Sequence, residues 1–157
     1  MKKMNNKGFS LVELIIVIAI MAILIVVLAP QYLKYVEKSR NSTDLQSATE
    51  FKDAIEIWAA DPDAGATSST TAFTKGETFT IKVESTGITS TIPASVQSAL
   101  DNAGVASTKF KCTSKTRWSW FELDGKVENS GAITWTYQSD GDFGTAMGEA
   151  AAAGGTP

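Results

Sequence analysis

Lys7-Gly8-Phe9-Ser10-Leu11-Val12-Glu13-Leu14 opens the stretch that decides the architecture of this chain. Behind it, residues 14–29 carry no charged or strongly polar side chain. Residues 9–29 form a 21-residue apolar span whose single charge is Glu13. As an α-helix rising 1.5 Å per residue, such a span covers roughly 30 Å, about one hydrocarbon core. Lys2, Lys3 and Lys7 all precede it. By the positive-inside rule that end stays in the cytoplasm and the rest is exported. A cleaved secretory signal peptide needs a small-x-small site after a short apolar region. Here the span ends in Leu28-Ala29-Pro30-Gln31, a poor site. A plain signal anchor explains the length and the lysines but leaves Glu13 without a purpose.

Residues 7–14 resemble the prepilin motif of type IV pilins and of the pseudopilins of type II secretion. The resemblance implies a basic leader, residues 1–8, cut after Gly8 by a membrane aspartyl peptidase. It implies that Phe9 becomes the N-methylated mature terminus. Glu13 then takes the fifth mature position, where the family carries a glutamate. Pro30 matches a frequent pilin proline, and Ser10 stands where threonine is commoner. The physics of the span agrees. A carboxylate at the bilayer centre costs roughly 3 kcal/mol on insertion scales, and less near the interface. The sequence offers Glu13 no partner nearby except the amine created by cutting before Phe9, and a filament can supply that amine from a neighbouring subunit. Glu13 and Pro30 are therefore the assembly residues expected here.

After Pro30 the pattern stays helical and turns amphipathic. Ala48, Phe51, Ile55 and Trp58 recur at spacings of one helix face. Asp44, Gln46, Glu50, Lys52, Asp53 and Glu56 read as the polar remainder, and Asp61-Pro62 as a stop. The helix is expected over residues 9–60, with Pro30 as a kink or a locally melted turn. Its first part, 9–30, is the membrane or filament-core segment, and 31–60 the amphipathic part. Residues 61–157 form the head: a small, hydroxyl-rich loop to residue 71, a strand over 78–84, and a short helix over 93–103 stopped by Gly104. Further strands are expected over 109–113, 118–123 and 133–138, with Asp124-Gly125 as a hairpin turn. The tail after Gly141 reads as loose. The fold class is α+β: a long N-terminal helix on an antiparallel sheet of three or four strands, the pilin fold that the resemblance implies.

Composition narrows the functions. The formal charge is −3, and without the three leading lysines 11 basic side chains face 17 acidic ones. An acidic exported part argues against general nucleic-acid binding, although Trp118 and Trp120 lie close to Lys109, Lys111, Lys115 and Arg117. The chain has one cysteine, Cys112, and no histidine. No intramolecular disulfide can form, and the usual neutral-pH acid–base group is missing. Asp140-Gly141-Asp142 is weakly calcium-like, but Ca²⁺ needs six to eight oxygens, and a turn explains it better. No catalytic constellation, metal-ligand cluster or phosphate loop appears, so no enzyme and no cofactor is expected. The resemblance implies a self-assembling surface filament, reached through the cytoplasmic membrane, a prepilin peptidase and a membrane assembly platform. The alternative is a pseudopilin of a secretion or DNA-uptake machine.

Overall fold

The computed structural model describes residues 9–61, 63 and 71–148. Gly8, most of the hydroxyl-rich loop and residues 149–157 lie outside the described residues. The chain divides into two compact units, Met1–Lys38 and Ser39–Pro157. The first long element, α1, comprises Leu11–Ala60 and so contributes to both.

In the first unit, α1 presents a continuous apolar surface of Leu, Ile and Val side chains from Leu11 to Leu28, all exposed. It is long and apolar enough to cross a membrane. The helix runs unbroken through Pro30, which corrects the expectation of a locally melted turn there. Proline still removes one N–H, so the Val26 carbonyl loses its helical donor. Neighbouring turns hold the helical backbone around that gap.

The second unit is the α+β head. Thr78–Glu84 is β1, Gly87–Ile88 is β2, Ala94–Asn102 is α2, Trp120–Val127 is β3 and Ile133–Ser139 is β4. The four strands form an antiparallel sheet in the order β2-β1-β3-β4. Along β1, Phe79, Ile81 and Val83 turn inward; along β3, Phe121, Leu123 and Val127 do. They pack with Ala48, Phe51, Ala54, Ile55 and Trp58 of α1 and with Val96, Ala99 and Leu100 of α2 in one core. The alternation of β1 and the 3–4 spacing of α1 thus meet on a shared apolar layer, as their periods require. α2 begins behind Pro93, whose fixed φ suits a helix entry, and ends before Gly104 at φ +69°.

Four expectations are corrected. Asp124 and Gly125 lie inside β3, not in a turn; the β3–β4 turn is residues 128–132, closed by Glu128 N–H to the Ala132 carbonyl at 2.8 Å, with Gly131 at φ +88°. Gly125 is there for space. It faces Phe79 across the ladder, and an added Cβ would sit 2.2 Å from the Phe79 ring. Residues 109–113 form no strand: Ser107–Lys109 is a single 3₁₀ turn, and the segment beyond it makes one bond to the sheet, Cys112 N–H to the Glu84 carbonyl at 3.0 Å. The strand expected over 118–123 begins only at Trp120, so Trp118 precedes β3. The chain after Gly141 is not loose at once: Phe143–Ala146 forms a helical turn, α3, and Phe143 is fully buried, stacked on Phe121 at 4.2 Å between ring centroids.

Candidate functional site

The site predicted from sequence lies at the start of α1. Phe9 is 93% exposed and precedes the helix. Ser10 stands at the position that caps the first turn. The Ser10 N–H donates to Glu13 Oε2 at 2.9 Å, and the Leu14 N–H to the Ser10 carbonyl at 3.3 Å. Ser10-x-x-Glu13 thus makes the glutamate half of a capping box, in which the third helical residue reaches back to a free backbone donor. This corrects the view that Glu13 has no local partner but a future amine. The carboxylate also lies at the positive end of the helix, where a negative charge is favourable. Phe9, Ser10 and Glu13 are thus brought into one turn. Pro30 is not: seventeen residues along α1 from Glu13, it lies about 25 Å away at helical rise.

A second polar centre was missed from sequence. Asp44 of α1 is fully buried, 0% exposed, on the core face of the helix. Its Oδ1 accepts from the Thr113 N–H at 2.8 Å and the Thr113 hydroxyl at 2.6 Å. Its Oδ2 accepts from the Ser114 N–H at 2.9 Å and the Trp118 indole Nε1–H at 2.9 Å. Cys112 Sγ lies 3.6 Å from the same oxygen. The residue sits four before Ala48, so spacing put it on the buried stripe, but its chemistry suggested the polar one. The arrangement pins residues 112–118, which make few ladder bonds of their own, to α1.

Cys112 is buried beside this carboxylate, and burial, reinforced by the Asp44 charge, pushes its thiol pKa up to about 12. Reactivity follows the thiolate. We therefore expect the folded chain to resist alkylation at neutral pH and to melt at the same temperature with or without reductant. Mass-detected alkylation under native conditions, or a reductant-dependent melting temperature, would contradict this.

The remaining sequence candidates resolve into structure. Trp118 is 2% exposed and spends its N–H on Asp44, while Trp120 lies under the Lys82 ammonium at 4.8 Å. The Asp140-Gly141-Asp142 turn is engaged by protein donors. Asp140 accepts from the Ser119 N–H at 2.8 Å and from the Ser119 hydroxyl. Burial works to raise its pKa, but these bonds hold it below the usual carboxylate range. Asp142 takes a bidentate pair of bonds from Arg117 at 2.6 Å each, which lowers its pKa. Gly141 is needed because an added Cβ would sit 1.9 Å from the Arg117 carbonyl.

The start of α1 is thus an exposed apolar helix whose first turn holds one carboxylate, Glu13, behind an exposed phenylalanine. Residues 3–29 match the prokaryotic N-terminal methylation motif. Two type IV major fimbrial proteins FimA of Dichelobacter nodosus are similar to this chain. One is 38% identical over 63 residues, covering 40% of each chain. The other is 39% identical over 59 residues, covering 38% of each. The chain thus spans about two fifths of the length of these curated relatives. No solved structure matches it. The N-terminal segment is type IV pilin-like, and the α+β head agrees with a pilin fold.

Proposed function

We propose that the chain is the structural subunit of a type IV pilus. It enters the cytoplasmic membrane as a single-pass precursor through residues 9–30. A prepilin peptidase removes residues 1–8, and the amine of Phe9 is methylated. A membrane assembly platform then extracts the subunit into a helical surface filament serving adhesion, motility or aggregation. The observation that carries this reading is the methylation motif at the head of an exposed, membrane-length apolar helix whose one charge is Glu13. An exposed apolar helix is untenable in water, so a bilayer or the helices of sister subunits must cover it. The partners are therefore copies of the same chain, the peptidase and the platform. Nothing in the acidic head recommends nucleic acid, and the role is structural, not catalytic. The major fimbrial character of the FimA relatives supports a pilus over a pseudopilin piston.

Sheared surface filaments test this directly. We expect long fibres composed mainly of this chain, with an intact mass that begins at a methylated Phe9. Fibres whose subunits still carry residues 1–8 would overturn the processing step. Absence of the chain from purified fibres would overturn the pilus reading.

A further inference from the structure

The apolar surface of α1 does not fade gradually. Past Leu28 and Pro30 the chain reads Gln31-Tyr32-Leu33-Lys34-Tyr35-Val36-Glu37-Lys38, its first polar residues after Glu13. Within that stretch Tyr32 and Tyr35 are 68% and 70% exposed. Three residues apart on a helix, they lie on one face. At 1.5 Å per residue they stand about 4.5 and 9 Å beyond Ala29. The hydrocarbon core of about 30 Å that residues 9–29 match is flanked on each side by a polar layer of roughly 5–8 Å. Helical side chains lean toward the N-terminus, which draws both rings back toward the lipid. Tyrosine has an apolar body and a polar tip, the chemistry that partitions into this layer. Lys34 between them is exposed and can extend its ammonium to the headgroups while its stem lies along the chain.

We infer that Tyr32 and Tyr35 are the outer interfacial anchor of the membrane-inserted precursor, seated among lipid headgroups and setting the depth of the helix. The inference rests on the membrane-anchored reading above. It assigns a lipid-contacting surface to residues just past the apolar span, where hydropathy alone sets no depth. With the leader lysines holding the cytoplasmic end, the two tyrosines fix the opposite end, so that a span of matched length cannot slide.

The chain has three tyrosines, which makes a direct test possible. The uncleaved full chain, labelled with 3-fluorotyrosine, is reconstituted in vesicles of phosphatidylethanolamine and phosphatidylglycerol. Fluorine magic-angle-spinning spectra are recorded with a nitroxide lipid carrying its label either at the headgroup or deep in the acyl chain. Tyr32→Phe and Tyr35→Phe assign the signals, and vesicles without nitroxide lipid give the reference intensities. We expect the Tyr32 and Tyr35 signals to lose intensity to the headgroup label and much less to the deep label. A chain that floats with the vesicles but keeps both signals, or loses them mainly to the deep label, overturns the inference alone. A chain that does not float with the vesicles overturns the anchor reading, and the inference with it.

Discussion

Glu13→Gln is expected to abolish sheared-fibre yield while the cleaved subunit accumulates in the membrane. The proposed filament pairs Glu13 with the Phe9 amine of an adjacent subunit. Two unit charges 4 Å apart attract by about 4 kcal/mol at an effective dielectric near 20. That is comparable to the roughly 3 kcal/mol cost of holding a carboxylate in an apolar place. Desolvating both charges offsets much of the attraction, so the pair selects register more than it adds stability. The capping interaction in the free helix sharpens the test. Glutamine can also occupy the third position of a capping box, so Glu13→Gln removes the charge and leaves the first turn intact. Glu13→Ala removes both, and loses besides the one capping hydrogen bond, about 0.5–1.5 kcal/mol. If the charge is what assembly reads, both variants fail to make fibres. Cleavage after Gly8 is expected to continue in both, because the proposed cut lies outside this contact. The readouts are fibre yield, a membrane immunoblot and the intact mass of the retained subunit. Normal fibres from Glu13→Gln alone would leave the carboxylate with a capping role and no part in assembly.

Much of this architecture is legible in the sequence because two periods are strong. The β1 residues Phe79, Ile81 and Val83 and the α1 residues Ala48, Phe51, Ile55 and Trp58 repeat cleanly, and the structure buries them as read. Pro93 and Gly104 bracket α2 for reasons local to each residue. Where sequence and structure part, the cause is shared: a residue type signals one thing alone and another among its neighbours. Asp124-Gly125 is a strong turn dipeptide in isolation, yet Leu123, Gly125 and Val127 keep the inward alternation of β3, and the missing side chain at Gly125 houses the Phe79 ring. Phe143 is hidden among glycines and acids, and only the folded sheet shows the hollow that it fills. At the N-terminus the reverse holds. The Ser10-x-x-Glu13 spacing is a capping signal readable from sequence, but a carboxylate in an apolar span points first to its charge and so hides its local bond.

Asp44 is the most consequential residue that the helical pattern concealed, and its replacement should have the largest effect on stability. Asp44→Ala deletes the acceptor for two backbone N–H groups, a hydroxyl and the Trp118 indole at once. Trp118 and Ser114 are themselves buried, so water reaches these donors poorly. An unsatisfied buried donor costs about 1–3 kcal/mol, and bonds to a charged acceptor lie at the strong end. With two backbone N–H groups and the indole N–H orphaned together, these costs sum to roughly 3–5 kcal/mol. We expect a loss of that order, a large share of the 5–15 kcal/mol that typically holds a domain together. Asp44→Asn should do almost as badly, although it is the nearest isostere. Each carboxylate oxygen serves at least two donors, so either orientation of the amide turns an NH₂ group toward donors it cannot satisfy. The measurement is denaturant unfolding of the full chain in detergent, followed by near-ultraviolet circular dichroism of the tryptophans. A second readout is the Trp118 indole N–H resonance, which should lose its hydrogen-bonded shift in Asp44→Ala. Because residues 112–118 make few bonds to the sheet, that segment should loosen before the core of Phe51, Ile55 and Phe121 opens. A loss below about 1 kcal/mol in Asp44→Ala, the size of one ordinary hydrogen bond, would show that the segment holds its place by packing of Trp118 and Phe143 and not through this carboxylate.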